Sequence, residues 1–313
     1  MPSVTVVGSG IVGLTSAIIL QEKGLEVTIV AKERFDDTLS SKVGAIWFPF
    51  EIEPKEKTNT WASLAYERYQ NDLEPKNGVA FIPFLTAYNN YSNNDWTQTL
   101  PKETVRKAKP SELPKGIKTA FISIVPLAEP RLYLPYLFEK FIKNGGHFEE
   151  REIKDLKELA ALNTLVINCT GLGAKNLCND EDLQPMRGQI LRCKKMNTPS
   201  FADSTKKGAL SYIINRSNDC VIGGTDYEND WNRNVEASDT TLILNRLNTI
   251  GYNENPPEIL EEIVGLRPKR RCVRFEFDDT FRNIFHNYGH GGAGFTVAWG
   301  CGIELGELLT KKN

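Results

Sequence analysis

The sequence predicts an α/β chain, α+β overall, in which a doubly wound parallel-sheet domain is interleaved with an antiparallel-sheet domain. Three observations carry this. The N-terminus runs strand, glycine turn, helix, strand at βαβ spacing. A second buried strand of parallel-sheet type, Thr164-Leu-Val-Ile-Asn168, returns far along the chain. The segments between mix aromatics, prolines and short apolar runs of the kind that suits antiparallel strands and loops. With 313 residues, 40% of them hydrophobic, the chain is long enough for two cores.

Taken in order, residues 3–7 are apolar and β-branched, a first strand. Residues 11–23 read as a helix with Ile11, Leu14 and Ile18 on the buried side and Gly24 as its cap. Residues 26–31 form the second strand. Residues 58–71 are an amphipathic helix through Trp61, Leu64, Ala65 and Tyr69, and 132–143 a further helix ended by Gly145-Gly146. Strands are expected at 164–168, 186–193 and 209–223, a helix at 238–250 with Asp239 in its first turn, and a final helix at 295–309. The expected nucleotide-binding domain comprises residues 1–50, 140–190 and 280–313. The expected substrate domain comprises 51–139 and 191–279.

Net charge is −2, which offers nucleic acid no general attraction. No apolar run is long enough to span a membrane, and the N-terminus lacks a basic, signal-like region. Six cysteines without a C-x-x-C pair support neither zinc nor thioredoxin chemistry, and free buried thiols are expected rather than disulfides. No metal site is expected. The C-terminal Lys311-Lys-Asn313 is no peroxisomal or ER signal, so a cytoplasmic location is the default expectation. A homodimer is left open.

Gly8-x-Gly10-x-x-Gly13 follows a strand and opens a helix, the place of a dinucleotide fingerprint in a Rossmann-like domain. The first glycine makes the turn, the second admits a pyrophosphate, and the third lets helix and strand pack closely. Ser9, Ile11 and Val12 lie in the same turn, and Glu33, with Lys32 beside it, stands where ribose hydroxyls are bound. The chain leaves the sheet after 31 and returns at 164, where Thr170-Gly171 forms a second contact. His286-Asn-Tyr-Gly-His-Gly-Gly-Ala-Gly-Phe-Thr-Val-Ala-Trp-Gly300 is a glycine-rich stretch feeding a helix N-terminus, an anion-attracting arrangement. Three distant segments on one dinucleotide point to the longer FAD rather than NAD.

The chain resembles the D-amino-acid oxidase family, D-aspartate oxidases included, nearly end to end. The resemblance rests on Val6-Val-Gly-Ser-Gly-Ile-Val-Gly-Leu14, Gly44-Ala-Ile-Trp47, Asn168-Cys-Thr-Gly171, Arg187-Gly-Gln189, Ser211-Tyr-Ile-Ile214, Gly223-Gly-Thr225, Gly265-Leu-Arg-Pro268 and His286-Asn-Tyr-Gly-His-Gly-Gly292. It implies that Arg274 grips the substrate carboxylate, Tyr212 donates to it, and the Gly292 carbonyl accepts from the amine. It also implies FAD contacts from Ser40, Gly44, Ala45, Trp47 and Ile153, with Gly291, Gly292, Ala293, Gly294, Phe295 and Thr296 along the flavin.

The implied reaction is oxidative deamination of a D-amino acid by hydride transfer to flavin N5. The imino acid hydrolyses to a 2-oxo acid and ammonia, and O2 is reduced to hydrogen peroxide. No histidine is needed as acid or base. Two departures stand out: Gly208 where family members carry a tyrosine, and a short segment at 196–211. Asp226, where D-aspartate-using relatives have arginine, predicts neutral or cationic side chains over acidic ones. The alternatives are a D-aspartate oxidase, a glycine- or sarcosine-type flavin amine oxidase, or a non-catalytic FAD-binding protein. A basic patch at 267–274, five of eight residues, is the nucleic-acid reading of the same run.

Overall fold

A computed structural model describes residues 3–310 apart from 50, 93, 163, 207 and 252–255; the expectation about residues 311–313 lies outside these. The chain folds into two compact units. The first is Met1–Val79, Ala128–Pro185 and Arg267–Asn313, and the second is Ala80–Leu127 and Met186–Leu266. These limits differ from the expected domain boundaries. Helix Lys55–Asn71 packs on helix Gly294–Thr310, and helix Pro130–Lys143 packs on Ile11–Glu22, so both join the first unit. Residues 274–277 pair with strand Ile284–His290 and join it too.

In the first unit, strand Ser3–Val7 lies between Glu26–Ala31 and Leu165–Asn168, parallel to both. His147–Glu150 extends the sheet beyond Glu26–Ala31, and Ile284–His290 lies parallel to Leu165–Asn168 on the other side. The chain leaves Ser3–Val7 toward one neighbour and returns on the opposite side. That reversal is a topological switch point, where open α/β sheets bind ligands at the carboxyl ends of their strands. Helix Ile11–Glu22 buries Leu14, Ala17, Ile18 and Leu20 completely, which explains an apolar run without a polar face. Truncating Leu14 to alanine would cost about 2–5 kcal/mol.

In the second unit, Ser211–Asn215 is antiparallel to both Ser200–Asp203 and Asp219–Gly223, and Asp219–Gly223 is antiparallel to Gln184–Lys194. One pairing breaks the expected antiparallel pattern: Val79–Ala87 runs parallel to Ser200–Asp203. The single run expected at 209–223 is a hairpin, turned at 216–219, where the Arg216 N–H donates to the Asp219 carbonyl at 2.9 Å. Helix Ala237–Thr249 lays Ile243 and Leu247 on Leu191, Ile213 and Ile222. Arg187, fully buried, pairs with Asp239 and donates to the carbonyls of Asn232 and Asn234. A buried cation satisfied this way holds the end of the sheet to the helix.

Among the described residues all six cysteines are free, no cluster of His, Cys, Asp and Glu could hold a metal ion, and no helix is long and apolar enough to cross a membrane.

Candidate active site

Gly8 ends the first strand at φ +113°, and a Cβ there would lie 2.5 Å from the Cys169 carbonyl oxygen. A Cβ on Gly13 would lie 1.9 Å from the Gly8 carbonyl oxygen. Turn, helix and the return strand thus meet backbone to backbone, a distance that any side chain would forbid. Gly10 caps helix Ile11–Glu22 with no side-chain hydrogen bond. The helix start is met instead by Ser40, whose Oγ accepts from the Ile11 N–H at 3.0 Å. Val12 is half-buried in this first turn. Ser9, buried, donates to the Glu33 carbonyl at 2.7 Å. Glu33 is half-buried and tied to the glycine turn, whereas Lys32 is exposed. Of the two residues expected near a ribose, Glu33 is the one so held.

Ile153 packs with Val7, Val30 and Val166 at the strand ends. Gly44 and Ala45 are buried, Ala45 at φ +54° with its carbonyl accepting from Ala128 N–H at 3.0 Å. The Trp47 indole donates to the Ala62 carbonyl at 2.9 Å and packs edge-on to Tyr66, so its side chain is core.

The Thr170–Gly171 turn is held by a chain of side chains. Asn168, fully buried, accepts through Oδ1 from Thr170 N–H at 3.2 Å and Thr170 Oγ1 at 2.7 Å. Its Nδ2 donates to His286 Nδ1 at 3.1 Å, and His286 Nε2 faces Asp278 Oδ2 at 3.1 Å. An amide nitrogen only donates, so Nδ1 accepts and the imidazole proton sits on Nε2, directed at Asp278. Burial lowers the His286 pKa, with the Arg274 charge adding to it and Asp278 opposing. His286 is therefore a neutral strut. A structural role without proton transfer agrees with the expectation that no histidine serves as acid or base; the partners Asn168 and Asp278 were not foreseen.

The glycine-rich stretch is shorter as a loop than expected. Ile284–His290 is a strand buried at every residue, and the chain leaves it at Gly291, φ +54°, with open space at its Cβ position. Gly292 is exposed, Ala293 is buried, and the helix starts at Gly294. The loop is anchored at each side. Gly291 N–H donates to the Pro268 carbonyl at 2.8 Å and Ala293 N–H to His290 carbonyl at 3.0 Å. Tyr69 Oη donates to the Phe295 carbonyl at 2.7 Å. Thr296 Oγ1 donates to the Phe48 carbonyl at 2.9 Å and accepts from its N–H at 3.1 Å. The carboxyl end of this segment is a 17-residue helix whose positive end faces the loop. Burial pushes the His290 pKa down to about 4, so it too is neutral.

Two arginines of the basic run differ in setting. Arg274 lies opposite Tyr288 in the strand pairing. Its Nη1 donates to Tyr288 Oη at 3.0 Å and its Nε to Glu276 Oε1 at 3.0 Å, with Asp278 at 4.0 Å. Tyr288 in turn donates to Asp180 Oδ2 at 2.7 Å, which also accepts from Arg270 Nε at 2.9 Å. The guanidinium expected to grip a carboxylate is thus engaged by the protein's own groups. Arg267, which the resemblance carried only inside Gly265-Leu-Arg-Pro268, immediately precedes the Pro268 carbonyl bonded to Gly291. Pro268 Cγ is also 3.9 Å from where a Gly171 Cβ would be. The backbone thus brings Arg267 to the glycine loop and the Thr170–Gly171 turn together.

In the second unit, the Tyr212 ring lies against Gly223-Gly224. A Cβ on Gly223 would be 2.1 Å from Tyr212 Cζ, and one on Gly224 would be 3.2 Å from the hydroxyl. Arg246 holds the same corner: its guanidinium donates to Leu210 and Gly224 carbonyls at 2.8 Å and to the Gly208 carbonyl. Gly208 is exposed at φ +71°. The short segment that departs from the family pattern is pinned by a cation that sequence reasoning passed over. Asp226 is half-buried beside Thr225.

A family model described as FAD dependent oxidoreductase matches residues 3–308. The chain is 33% identical over 309 residues to a D-amino-acid oxidase of Rubrobacter xylanophilus, covering 97% of this chain and 94% of that protein. It is 34% identical over 318 residues to a D-amino-acid oxidase of Dictyostelium discoideum, covering 98% and 91%. Among solved structures it is similar in fold to glycine oxidase from Geobacillus kaustophilus, with TM-score 0.79 at 15% identity over 100% of this chain and 96% of that one.

Proposed function

The chain belongs to the FAD dependent oxidoreductase family and is an FAD-dependent amino-acid oxidase of its D-amino-acid oxidase branch, and we propose that it deaminates D-amino acids with neutral or cationic side chains, releasing 2-oxo acid, ammonia and hydrogen peroxide. The observation that carries the reading is the glycine loop at 291–294, open at Gly291, exposed at Gly292 and set on a long helix's N-terminus.

The residues present fit FAD. The cradle at Gly8 and Gly13 is one that a Cβ would fill, and Glu33, tied to that cradle, supplies the acceptor for ribose hydroxyls. Gly8, Ser9, Gly10 and Gly13 would hold the pyrophosphate with Ser40 alongside. Thr170-Gly171 and the segment 291–296 would line the remainder. Bound FAD supplies the acceptor for the electron pair and hydrogen leaving the substrate α-carbon, and passes them to O2.

Every other contribution is orientation and electrostatics. The Gly292 carbonyl accepts from the amine, and the helix dipole behind it favours negative charge arriving at the flavin. Arg267 is the better candidate than Arg274 for the carboxylate. Arg267 is the arginine whose backbone adjoins the loop, through the Pro268 carbonyl bonded to Gly291 N–H, and a guanidinium fork suits a bidentate grip on a carboxylate. Tyr212, seated on two glycines, supplies a hydroxyl of fixed position. Neither His286 nor His290 is placed to move a proton: one is a strut and the other is buried neutral. The substrate amine therefore reacts in its unprotonated form.

A peroxide assay over paired D- and L-amino acids, with glycine and sarcosine included, tests the proposal. D-alanine or D-lysine turnover above D-aspartate supports it. Turnover of L isomers or of glycine alone overturns it, the latter in favour of the glycine-oxidase type.

A further inference from the structure

Cys193 and Cys220 take no part in the chemistry above, and they face each other. They are register partners in the antiparallel pair of Gln184–Lys194 with Asp219–Gly223. The flanking hydrogen bonds fix the kind of pair. Arg216 N–H donates to Asp219 carbonyl, so Asp219 directs its backbone groups toward Ser211–Asn215 and Cys220 directs its own toward Cys193. Lys194 N–H donates to Glu258 carbonyl, which leaves the Cys193 groups facing Cys220. This is a hydrogen-bonded pair, with Cα atoms about 5.5 Å apart. A disulfide needs a Cα separation of roughly 4.4–6.8 Å. Both side chains lie on one face of the sheet, in the cluster with Leu191, Ile213 and Ile222. The two thiols hydrogen-bond each other, and the Cys220 thiol also reaches the Lys194 carbonyl at 3.3 Å.

We infer that Cys193 and Cys220 form a peroxide-sensitive dithiol that closes to a cross-strand disulfide. The oxidant is hydrogen peroxide, so this rests on the oxidase reading for its source inside the enzyme. The Cys220 thiolate attacks one peroxide oxygen; an S–O bond forms, the O–O bond breaks, and hydroxide leaves. Sulfur is oxidised and peroxide is reduced. The Cys193 sulfur then attacks the sulfenic sulfur; S–S forms, S–O breaks, and the departing hydroxide takes the Cys193 proton as water. The hydrogen bond from Cys193 lowers the Cys220 pKa, which favours Cys220 as the attacking thiolate. Both sulfurs are buried, but both lie near strand ends: Cys193 adjoins the exposed Lys194 and Lys195, and Cys220 is two residues from the exposed Asn218 of the hairpin turn. Peroxide reaches the pair by local opening of that turn.

The test is a thiol map of the holoenzyme by alkylation under denaturing conditions and peptide mass spectrometry. One arm adds hydrogen peroxide; a second supplies D-alanine and O2, with and without catalase. After added peroxide, loss of both Cys193 and Cys220 from alkylation, as one linked peptide pair recovered by dithiothreitol, is expected. Both thiols remaining free, or linked to other cysteines, overturns the inference. In Cys193→Ser a sulfenic acid trapped by dimedone at Cys220 is expected; the wild-type map stands even if that variant fails to fold. Linkage by added peroxide but not during turnover leaves the dithiol assigned and counts against the oxidase reading for D-alanine.

Discussion

Arg274 and Tyr288 face each other across two antiparallel strands, with the guanidinium donating to the phenol oxygen at 3.0 Å. Burial and the Asp180 carboxylate raise the Tyr288 pKa, so the phenol stays protonated and donates its hydrogen bond to Asp180. The pair closes a chain of groups that hold the strand leading to the glycine loop. This separates the two arginines by the kind of loss each should show.

Arg267→Leu is expected to raise KM for D-alanine by about 10- to 100-fold, the equivalent of one charge-assisted carboxylate contact of roughly 1.5–3 kcal/mol. Arg274→Leu should instead lower stability by about 1–3 kcal/mol, since it strips the buried Tyr288 phenol of a charged partner, with KM altered far less. Steady-state kinetics and urea unfolding on both variants decide it. A KM defect confined to Arg274→Leu would restore the assignment made from the family pattern.

Gly13→Ala is expected to abolish FAD retention. Its Cβ would fall 1.9 Å from the Gly8 carbonyl oxygen, and nothing in a strand–turn–helix junction can give by the needed ångström. Gly24→Ala is the control. Gly24 has φ +83° and no atom within 4 Å of the added carbon, so the cost is backbone strain of about 1–2 kcal/mol. The ratio of flavin to protein absorbance after purification should collapse for the first variant and stay at the wild-type value for the second.

The strand, turn and helix at residues 3–22 were legible because three signals coincide there: β-branched alternation, glycines at fixed offsets and an all-apolar helix face. The helix at residues 294–310 was legible from the glycines before it and the apolar run within it. The long strand Ile259–Phe277 was not legible, because its exposed and half-buried positions carry charges that look like a basic patch. His286 to Gly289 looked like loop, yet they are strand; a sheet buried on both faces accepts polar residues that bond to one another, and local composition does not reveal the partners. Arg267 stood only inside a family motif, and its nearness to the glycine loop comes from the hydrogen bond between Gly291 N–H and the Pro268 carbonyl, which no spacing rule supplies.

Acidification should destabilise the protein through His290. Its pKa is about 4 when folded and about 6.5 when free, so between those values the unfolded chain binds the proton and the folded chain does not. This contribution is fully present above pH 6.5 and is lost as pH falls toward 4, roughly 3 kcal/mol over that span. Below about pH 4 both states are protonated and the slope vanishes. His290→Gln should flatten the dependence of melting temperature on pH between 4 and 6.5; an unchanged slope would exclude His290 as its source.

Arg246 should act on substrate binding from outside the reacting groups. Its guanidinium spans three carbonyls, at Gly208, Leu210 and Gly224, and Gly224 lies under the Tyr212 hydroxyl. Arg246→Met leaves those carbonyls without it and frees the segment before Tyr212. KM for D-alanine should rise about tenfold, one lost charged hydrogen bond's worth, with kcat less affected. Arg246→Lys, which keeps the charge but not the fork, should recover part of the loss. Equal falls in kcat and kcat/KM with KM unchanged would place Arg246 in the chemistry instead.

Asp226 should set the preference against acidic substrates. The residue is half-buried, directly after Thr225, whose hydroxyl accepts from Gln189 N–H at 2.8 Å, so the backbone at this point is fixed. Under the proposed function, a carboxylate there would repel a second carboxylate on a substrate side chain and attract an ammonium. A tenfold effect corresponds to about 1.4 kcal/mol, of the order that one partly screened charge pair supplies. Asp226→Asn removes this repulsion. The ratio of kcat/KM for D-aspartate to that for D-alanine should rise about tenfold, and that for D-lysine to D-alanine should fall. Raising ionic strength should shrink both changes, because screening weakens a charge effect and leaves a shape effect alone. If the variant shifts neither ratio, side-chain preference is set by residues other than Asp226.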